Sequence, residues 1–296
     1  MNPVSKCFNI INEEWIPVID KNGSSFNVSL LDIFTNGDNY LDFIVRPHER
    51  VSLMRFLLCI AHAALDGPDD YESWLRVPIT LPEASKNYFT KWEDFFDLFN
   101  YEKPFLQIGT LKNVTNEKDL EEDEDFSNGT FISKLDFTLA TGSNSTLFDH
   151  SGTDNDNRFF KPHEIILMML TYLCFSTCGT ASYVQWDKKN TARSVKDAPC
   201  VSSSMLHTFL KGHTVFETIH LNLLSKNNLS TRYSSLGKNW FGRPVWENMP
   251  KNLEDDESTR TYLGRLVPLS RVFKILNNNQ VLMGEGLMFK VFPDFR

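Results

Sequence analysis

Phe8-Asn9-Ile10-Ile11-Asn12-Glu13-Glu14-Trp15-Ile16-Pro17-Val18-Ile19 is the stretch on which the fold assignment rests. Its two arms, Phe8 to Ile11 and Trp15 to Ile19, alternate apolar and polar residues around the Asn12-Glu13-Glu14 break. Lys21-Asn22-Gly23 follows as a turn, so the spacing predicts an N-terminal strand pair. Helical periodicity then takes over. Ser29 ahead of Leu30, Leu31, Ile33 and Phe34 predicts a short capped helix. Glu49 to Leu65 predicts a longer one, with Leu53, Leu57, Ile60 and Ala64 on one face and Gly67-Pro68 as its stop. Glu83 to Phe99 predicts another, and its stripe of Tyr88, Trp92, Phe95, Phe96 and Phe99 suits a core better than a cofactor site.

Further along, Pro104-Phe105-Leu106-Gln107 leads into Asn116 to Asn128, acidic enough to predict a mobile loop. Ser143 to Asn157 predicts a second polar loop, with Phe148 as its one large aromatic. Lys161-Pro162-His163-Glu164 then opens an apolar helix, Ile165 to Ser176, with Pro162 where a helix start tolerates it. After the next loop, Met205 to Leu210 predicts a strand and Thr214 to Leu224 an amphipathic helix. Val272 to Leu276, Asn277-Asn278-Asn279 and Gln280 to Met283 predict a hairpin.

The loop from Cys178 to Pro199 carries the most suggestive chemistry. Gly179 stands among Thr180, Ala181 and Ser182, small residues that let backbone approach another molecule. Alternatively, Gly179 ends the preceding helix as a left-handed cap. Lys188, Lys189, Arg193 and Lys196 follow with no acid among them, and Asn190 and Thr191 supply uncharged donors. This pattern fits a phosphate-facing loop or an ordinary solvated surface loop. A second basic stretch, Leu221 to Trp246, holds Lys226, Arg232, Lys238 and Arg243 with Tyr233, Trp240 and Phe241 interleaved. Glu254 to Glu257 interrupts it before Arg260, Arg265, Arg271 and Lys274.

The 296 residues, 41% hydrophobic, suffice for a sizeable core in one large domain or two modest ones. A formal net charge of -8 argues against indiscriminate coating of nucleic acid. The charge is uneven: residues 1–166 carry 14 Lys+Arg against 28 Asp+Glu, and residues 167–296 carry 16 against 10. The second part is thus expected to present a local basic face. Five cysteines without a Cys-x-x-Cys pair indicate neither a disulfide framework nor a zinc ribbon, and fit a reducing cytoplasm. The N-terminus has no apolar signal core, and no apolar run approaches the roughly 20 residues of a membrane span.

No catalytic constellation stands out. Asp149-His150-Ser151 with Asp154 and Asp156 suggests metal-assisted hydrolysis or, more plainly, a polar loop whose Asp and Ser residues close turns. His207, His213 and His220 lack metal-ligand spacing, and Cys174 and Cys178 have no further ligands near them in sequence. Gly284-Glu285-Gly286 starts like a dinucleotide fingerprint but lacks the third glycine and the strand-to-helix context. No metal, cofactor or catalytic residue is expected.

The opening stretch resembles the start of the CasA family, the large subunit of the type I-E CRISPR surveillance complex Cascade. Other landmarks follow in that family's order. They are Pro104-Phe105-Leu106-Gln107, Leu147-Phe148-Asp149-His150-Ser151-Gly152, Gly179-Thr180-Ala181-Ser182, Lys196-Asp197-Ala198-Pro199, Phe216-Glu217-Thr218 and Gly242-Arg243-Pro244-Val245-Trp246-Glu247. The resemblance implies an α+β fold across residues 1–296, the mixed N-terminal domain of the large subunit without its C-terminal four-helix bundle.

The resemblance also implies partners and sites. The chain would dock at the crRNA 5′ end beside other Cascade subunits, inspect the protospacer-adjacent motif (PAM) of double-stranded target DNA, and hold the opened target for a separately recruited helicase-nuclease. Gly179 to Ser182 would be the PAM-facing glycine loop, with Lys188, Lys189, Asn190, Arg193 and Lys196 nearby. Phe148, Asp149, His150, Ser151 and Gly152 would belong to the loop that locks onto crRNA and neighbouring subunits. The family's lysine finger and glutamine wedge would lie past Arg296. Minor-groove contacts separate A·T from G·C but read orientation poorly, which suits a backbone-rich loop, and sequence is left to guide pairing. Two alternatives stand beside this reading: a ribonucleoprotein scaffold that does not read target DNA, and a metal-dependent nuclease using Asp149, His150 and Asp154.

Overall fold

The computed structural model describes residues 7–114, 129–136, 159–176, 179–180, 184–192, 194–195, 207–277 and 280–289. Strand β1 (Ile16–Asp20) pairs antiparallel with β2 (Ser25–Val28) across a turn in which the Asp20 carboxylate accepts from the Asn22 and Ser24 amides at 2.9 and 2.8 Å. Gly23 closes that turn at φ 82°, backbone that glycine adopts without strain. Helix α1 (Leu30–Asn36) follows, capped by the Ser29 hydroxyl on the Asp32 amide at 3.1 Å, and β3 (Tyr40–Phe43) returns to the other edge of β1.

The Phe8–Ile11 arm is not a strand of this sheet, as alternation had suggested. Ile10 donates to the Phe96 carbonyl at 2.9 Å and Leu98 to that of Phe8 at 3.0 Å, with a single bridge between Asn9 and Asp97. The cause is Trp15. Its fully buried indole donates to the Ile10 carbonyl at 2.8 Å and holds the arm against residues 96–98.

Helix α2 (Pro47–Leu65) begins with proline in its first turn, and the Glu49 carboxylate accepts from the Arg46 amide at 2.8 Å. Helix α3 (Tyr71–Trp92) starts at Tyr71, ahead of the expected Glu83, and runs through Pro78 and Pro82. Asp70 caps it, accepting from the Ser73 amide at 2.8 Å. A proline removes the donor to the carbonyl four residues back. For Pro78 that carbonyl is Trp74's, and it accepts instead from His220 Nε2 at 2.9 Å.

Strands β4 (Lys112–Asn113) and β5 (Thr130–Phe131) precede helix α4 (Pro162–Phe175). Four short strands follow: β6 (Gly179–Thr180), β7 (Val184–Trp186), β8 (Lys189–Asn190) and β9 (Ser194–Val195). Helices α5 (Val215–Asn222), α6 (Lys226–Tyr233) and α7 (Tyr262–Leu266) lead to the hairpin β10 (Arg271–Asn277) and β11 (Gln280–Glu285), as the spacing predicted. The expected strand over Met205 to Leu210 is not found in its described part, 207–210. There the Asn222 side chain holds both backbone groups of Leu210, at 2.9 and 2.7 Å.

The sheets are small: β2-β1-β3, β10-β11-β5, β4-β7-β8 and the pair β6-β9. Helix α2 packs against α3, α4, α5 and α7. Around its Phe56, the rings of Trp15, Phe96, Phe105 and Trp246 converge at centroid distances of 5.5 to 6.2 Å, all 1% exposed or less. Each buried ring of this kind contributes about 1.5–3 kcal/mol. The structure is α+β, and no helix among the described residues is long and apolar enough to cross a membrane.

Candidate nucleic-acid interface

The described part of residues 179–195, namely 179–180, 184–192 and 194–195, is largely strand-paired. Gln185 pairs with Asn190 and Trp186 with Lys189, closing a hairpin whose two turn residues, Asp187 and Lys188, both take positive φ, 47° and 64°. That is the two-residue turn whose twist matches antiparallel strands, and it is unusual for a lysine. Further out, Gly179 pairs with Val195 and Thr180 with Ser194.

Two attachments seat the hairpin. At its base, Val184 packs on Gly284 of β11, where a Cβ would meet Val184 Cγ2 at 2.2 Å. The Ala192 amide donates to the Glu285 carboxylate at 2.9 Å. The Gly284-Glu285-Gly286 stretch thus serves close strand approach. At the tip, Asn252 donates to Asp187 at 3.3 Å and Lys189 pairs with Glu254 at 2.5 Å. Glu254 raises the Lys189 ammonium above its usual range. The acidic segment that looked like a mere interruption in sequence therefore reaches the basic turn from 65 residues away.

One face of β4-β7-β8 is polar. Lys112 pairs with Gln185 and Gln185 with Asn190, a row across three strands with Lys112 and Asn190 exposed. Val184 and Trp186 point the other way and are buried. Lys112 and Gln185 went unremarked in the sequence because their partner strands are some 70 residues apart (Lys112 against Gln185). Trp186 on the opposite face lines a cleft of about 470 Å³ together with Trp246, Leu106, Met249, Lys103 and Lys251.

Several expectations change. Helix α4 ends with Ser176 extended (ψ 130°), and Gly179 lies in β6, so Gly179 is not a left-handed helix cap. The aromatics of the second basic stretch pack inward: Tyr233 and Phe241 lie against buried Tyr262, at 5.2 and 6.0 Å. Lys226 sits over Phe241 and pairs with Asp66 and Asp69, while Lys211 pairs with Asp42. Cations of the second part are thus partly neutralised by acids of the first. Ala181, Ser182, Arg193, Lys196, the docking-loop residues Phe148 to Gly152 and the acidic segment 116–128 lie outside the described residues. Among the described residues no group of His, Cys, Asp or Glu is arranged to hold a metal ion.

Residues 9–290 match the family model of CRISPR-associated protein Cse1. The CasA/Cse1 protein of Thermus thermophilus is 30% identical over 259 residues, 86% of this chain and 45% of that relative. Among solved structures, Thermobifida fusca Cse1 superposes with a TM-score of 0.75 at 20% identity, covering 97% of this chain and 53% of that one. Thermus thermophilus CasA gives 0.69 at 24% identity, covering 98% and 54%. A chain of a CRISPR RNA-guided surveillance complex in a pre-nicking state gives 0.71 at 19% identity, covering 99% and 57%. The chain spans about half the length of these relatives. By its family match and by the sequence identity to the Thermus relative, the chain belongs to the CRISPR-associated protein Cse1 family.

Proposed function

We propose that this chain is a non-catalytic part of a type I-E CRISPR RNA-guided surveillance complex, where it holds the PAM duplex of target DNA against the 179–195 hairpin. The observation that carries the reading is the build of that hairpin within a Cse1-family chain. It is a glycine-bearing ladder fixed at its base to β11, with an exposed turn at which Lys188 has no acidic partner among the described residues. Backbone groups of Gly179 to Ser182 would meet the groove edge. Lys188, with Lys112, Asn190, Arg193 and Lys196, would meet phosphates, and Lys189 would do so on release from Glu254. The loop containing Phe148 to Gly152 would face crRNA and neighbouring subunits, and cleavage would belong to a separately recruited helicase-nuclease.

The test is target affinity of the assembled complex with and without PAM. Gly179→Asp is expected to weaken PAM-bearing targets much more than PAM-less ones. Lys188→Ala is expected to weaken both about equally and to reduce the salt slope by about 0.9. Equal loss on both targets for Gly179→Asp, or DNA cleavage by the chain alone with magnesium, would overturn the reading.

A further inference from the structure

Helix α3 shows solvent an apolar stripe. Tyr71, Leu75 and Ile79, spaced four apart, are 66, 46 and 82% exposed, and Leu224 beside them is 48% exposed. Residues at this spacing share one face of a helix. Between Tyr71, Trp74 and Leu221 to Asn228 runs a groove of about 430 Å³.

The floor of this groove is a stack of three rings. Tyr71 stacks on Trp74 (5.9 Å, 13° between planes), and Trp74 stacks on His220 (4.2 Å, 29°). The Trp74 indole donates to the Leu223 carbonyl at 2.9 Å, which ties the stack to the segment after α5. Next to Tyr71 in the chain are Asp66, Asp69, Asp70 and Glu72; the Asp70 carboxylate caps Ser73 and feels the charge of exposed Arg76. Lys226 pairs with the first two, and the side chains of Asp66 and Asp69 remain 88 and 74% exposed.

We propose that this acid-rimmed stripe on α3 is a docking surface for a protein segment carrying arginine or lysine beside apolar side chains. An arginine from the partner would lie on the exposed face of Tyr71 and pair with the surrounding carboxylates, and its apolar neighbours would cover Leu75, Ile79 and Leu224. Charge argues against nucleic acid here: the four acids Asp66, Asp69, Asp70 and Glu72 outnumber the two cations Lys226 and Arg76, a balance that favours a cationic partner over phosphates. The inference rests on the proposed membership of a surveillance complex, since it makes the partner another protein of that assembly.

The experiment titrates the chain against the guide-RNA-loaded remaining subunits and reads incorporation by native mass spectrometry. Hydrogen exchange over residues 71–79 is followed in parallel. Ile79→Asp and Tyr71→Ala are expected to weaken incorporation about tenfold or more, with unchanged melting of the free chain, and Tyr71→Phe to restore it. Glu72→Lys is expected to weaken it less and to flatten its salt dependence. Wild-type incorporation by all variants, or protection of 71–79 by guide RNA or DNA alone, would overturn the docking surface. Failure of the wild-type chain to join the assembly would instead overturn the proposed function, and the inference with it.

Discussion

His220 Nε2 donates to the carbonyl oxygen of Trp74 at 2.9 Å, replacing the helical donor that Pro78 lacks. Because a carbonyl only accepts, Nε2 carries the proton. His220→Phe keeps a ring on Trp74 but removes the donor. It is expected to cost about 1–3 kcal/mol by chemical denaturation, with increased hydrogen exchange near the start of α3.

Gln107 closes the free edge of β10. Its Nε2 donates to the Leu98 carbonyl and its Oε1 accepts from the Ile275 amide, both at 2.8 Å, while the Ile108 amide donates to Phe273 at 2.9 Å. Gln107→Leu strands two backbone groups and is expected to cost about 2–5 kcal/mol. Gln107→Glu places an unpaired carboxylate at a site 4% exposed and is expected to be worse. Denaturant melts of the two variants check this order.

Gly284→Ala drives a methyl group into Val184. The expected cost is about 1–3 kcal/mol, together with weaker DNA binding as the hairpin lifts from β11. Adding Val184→Ala should recover part of both effects. A double variant no better than the single one would show that the contact does not position the hairpin.

Glu254 holds Lys189 in an ion pair, and under the proposed function it would compete with DNA for that ammonium. Glu254→Gln is expected to raise affinity of the assembled complex for any duplex and to steepen its salt dependence, by about 0.9 in slope if Lys189 then reaches a phosphate. Lys189→Ala should remove that gain in the double variant. Both groups are largely exposed, so thermal stability should stay where it is.

His62 sets an acid limit on stability. It is buried, its Nδ1 donates to the Gly67 carbonyl at 2.7 Å, and its Nε2 accepts from the Tyr262 hydroxyl at 3.2 Å. Burial, reinforced by nearby Lys226, pushes its pKa down to about 4, against the pull of the Gly67 carbonyl. Between pH 6.5 and 4 the unfolded chain takes up a proton that the fold refuses. Stability is therefore full above 6.5 and falls by about 3 kcal/mol toward pH 4. His62→Gln should flatten that part of the pH profile, read as melting temperature against pH.

Local chemistry determined much of this protein. Ser29, Thr214 and Ser225 cap helices because their hydroxyls reach amides three residues on, and the 272–283 hairpin follows from alternation. The landmarks that carry the family resemblance are legible for a related reason. Trp15, Gln107 and Trp246 are buried and hydrogen-bonded, so they mark the fold more than any site.

What the tertiary structure alone decided involves partners distant in sequence. Pro78 removes a helical donor inside α3, and His220 supplies one from 146 residues away. Phe8 to Ile11 alternates like a strand but is pinned elsewhere by the Trp15 indole. The basic run is free of acid in sequence, yet Glu254 meets Lys189, and Asp42, Asp66 and Asp69 meet Lys211 and Lys226. Periodicity and capping act over a few residues along the chain, whereas strand pairing and charge neutralisation act through space. Sequence order therefore revealed the elements and the family, and only the folded chain showed which cations stay open to a partner.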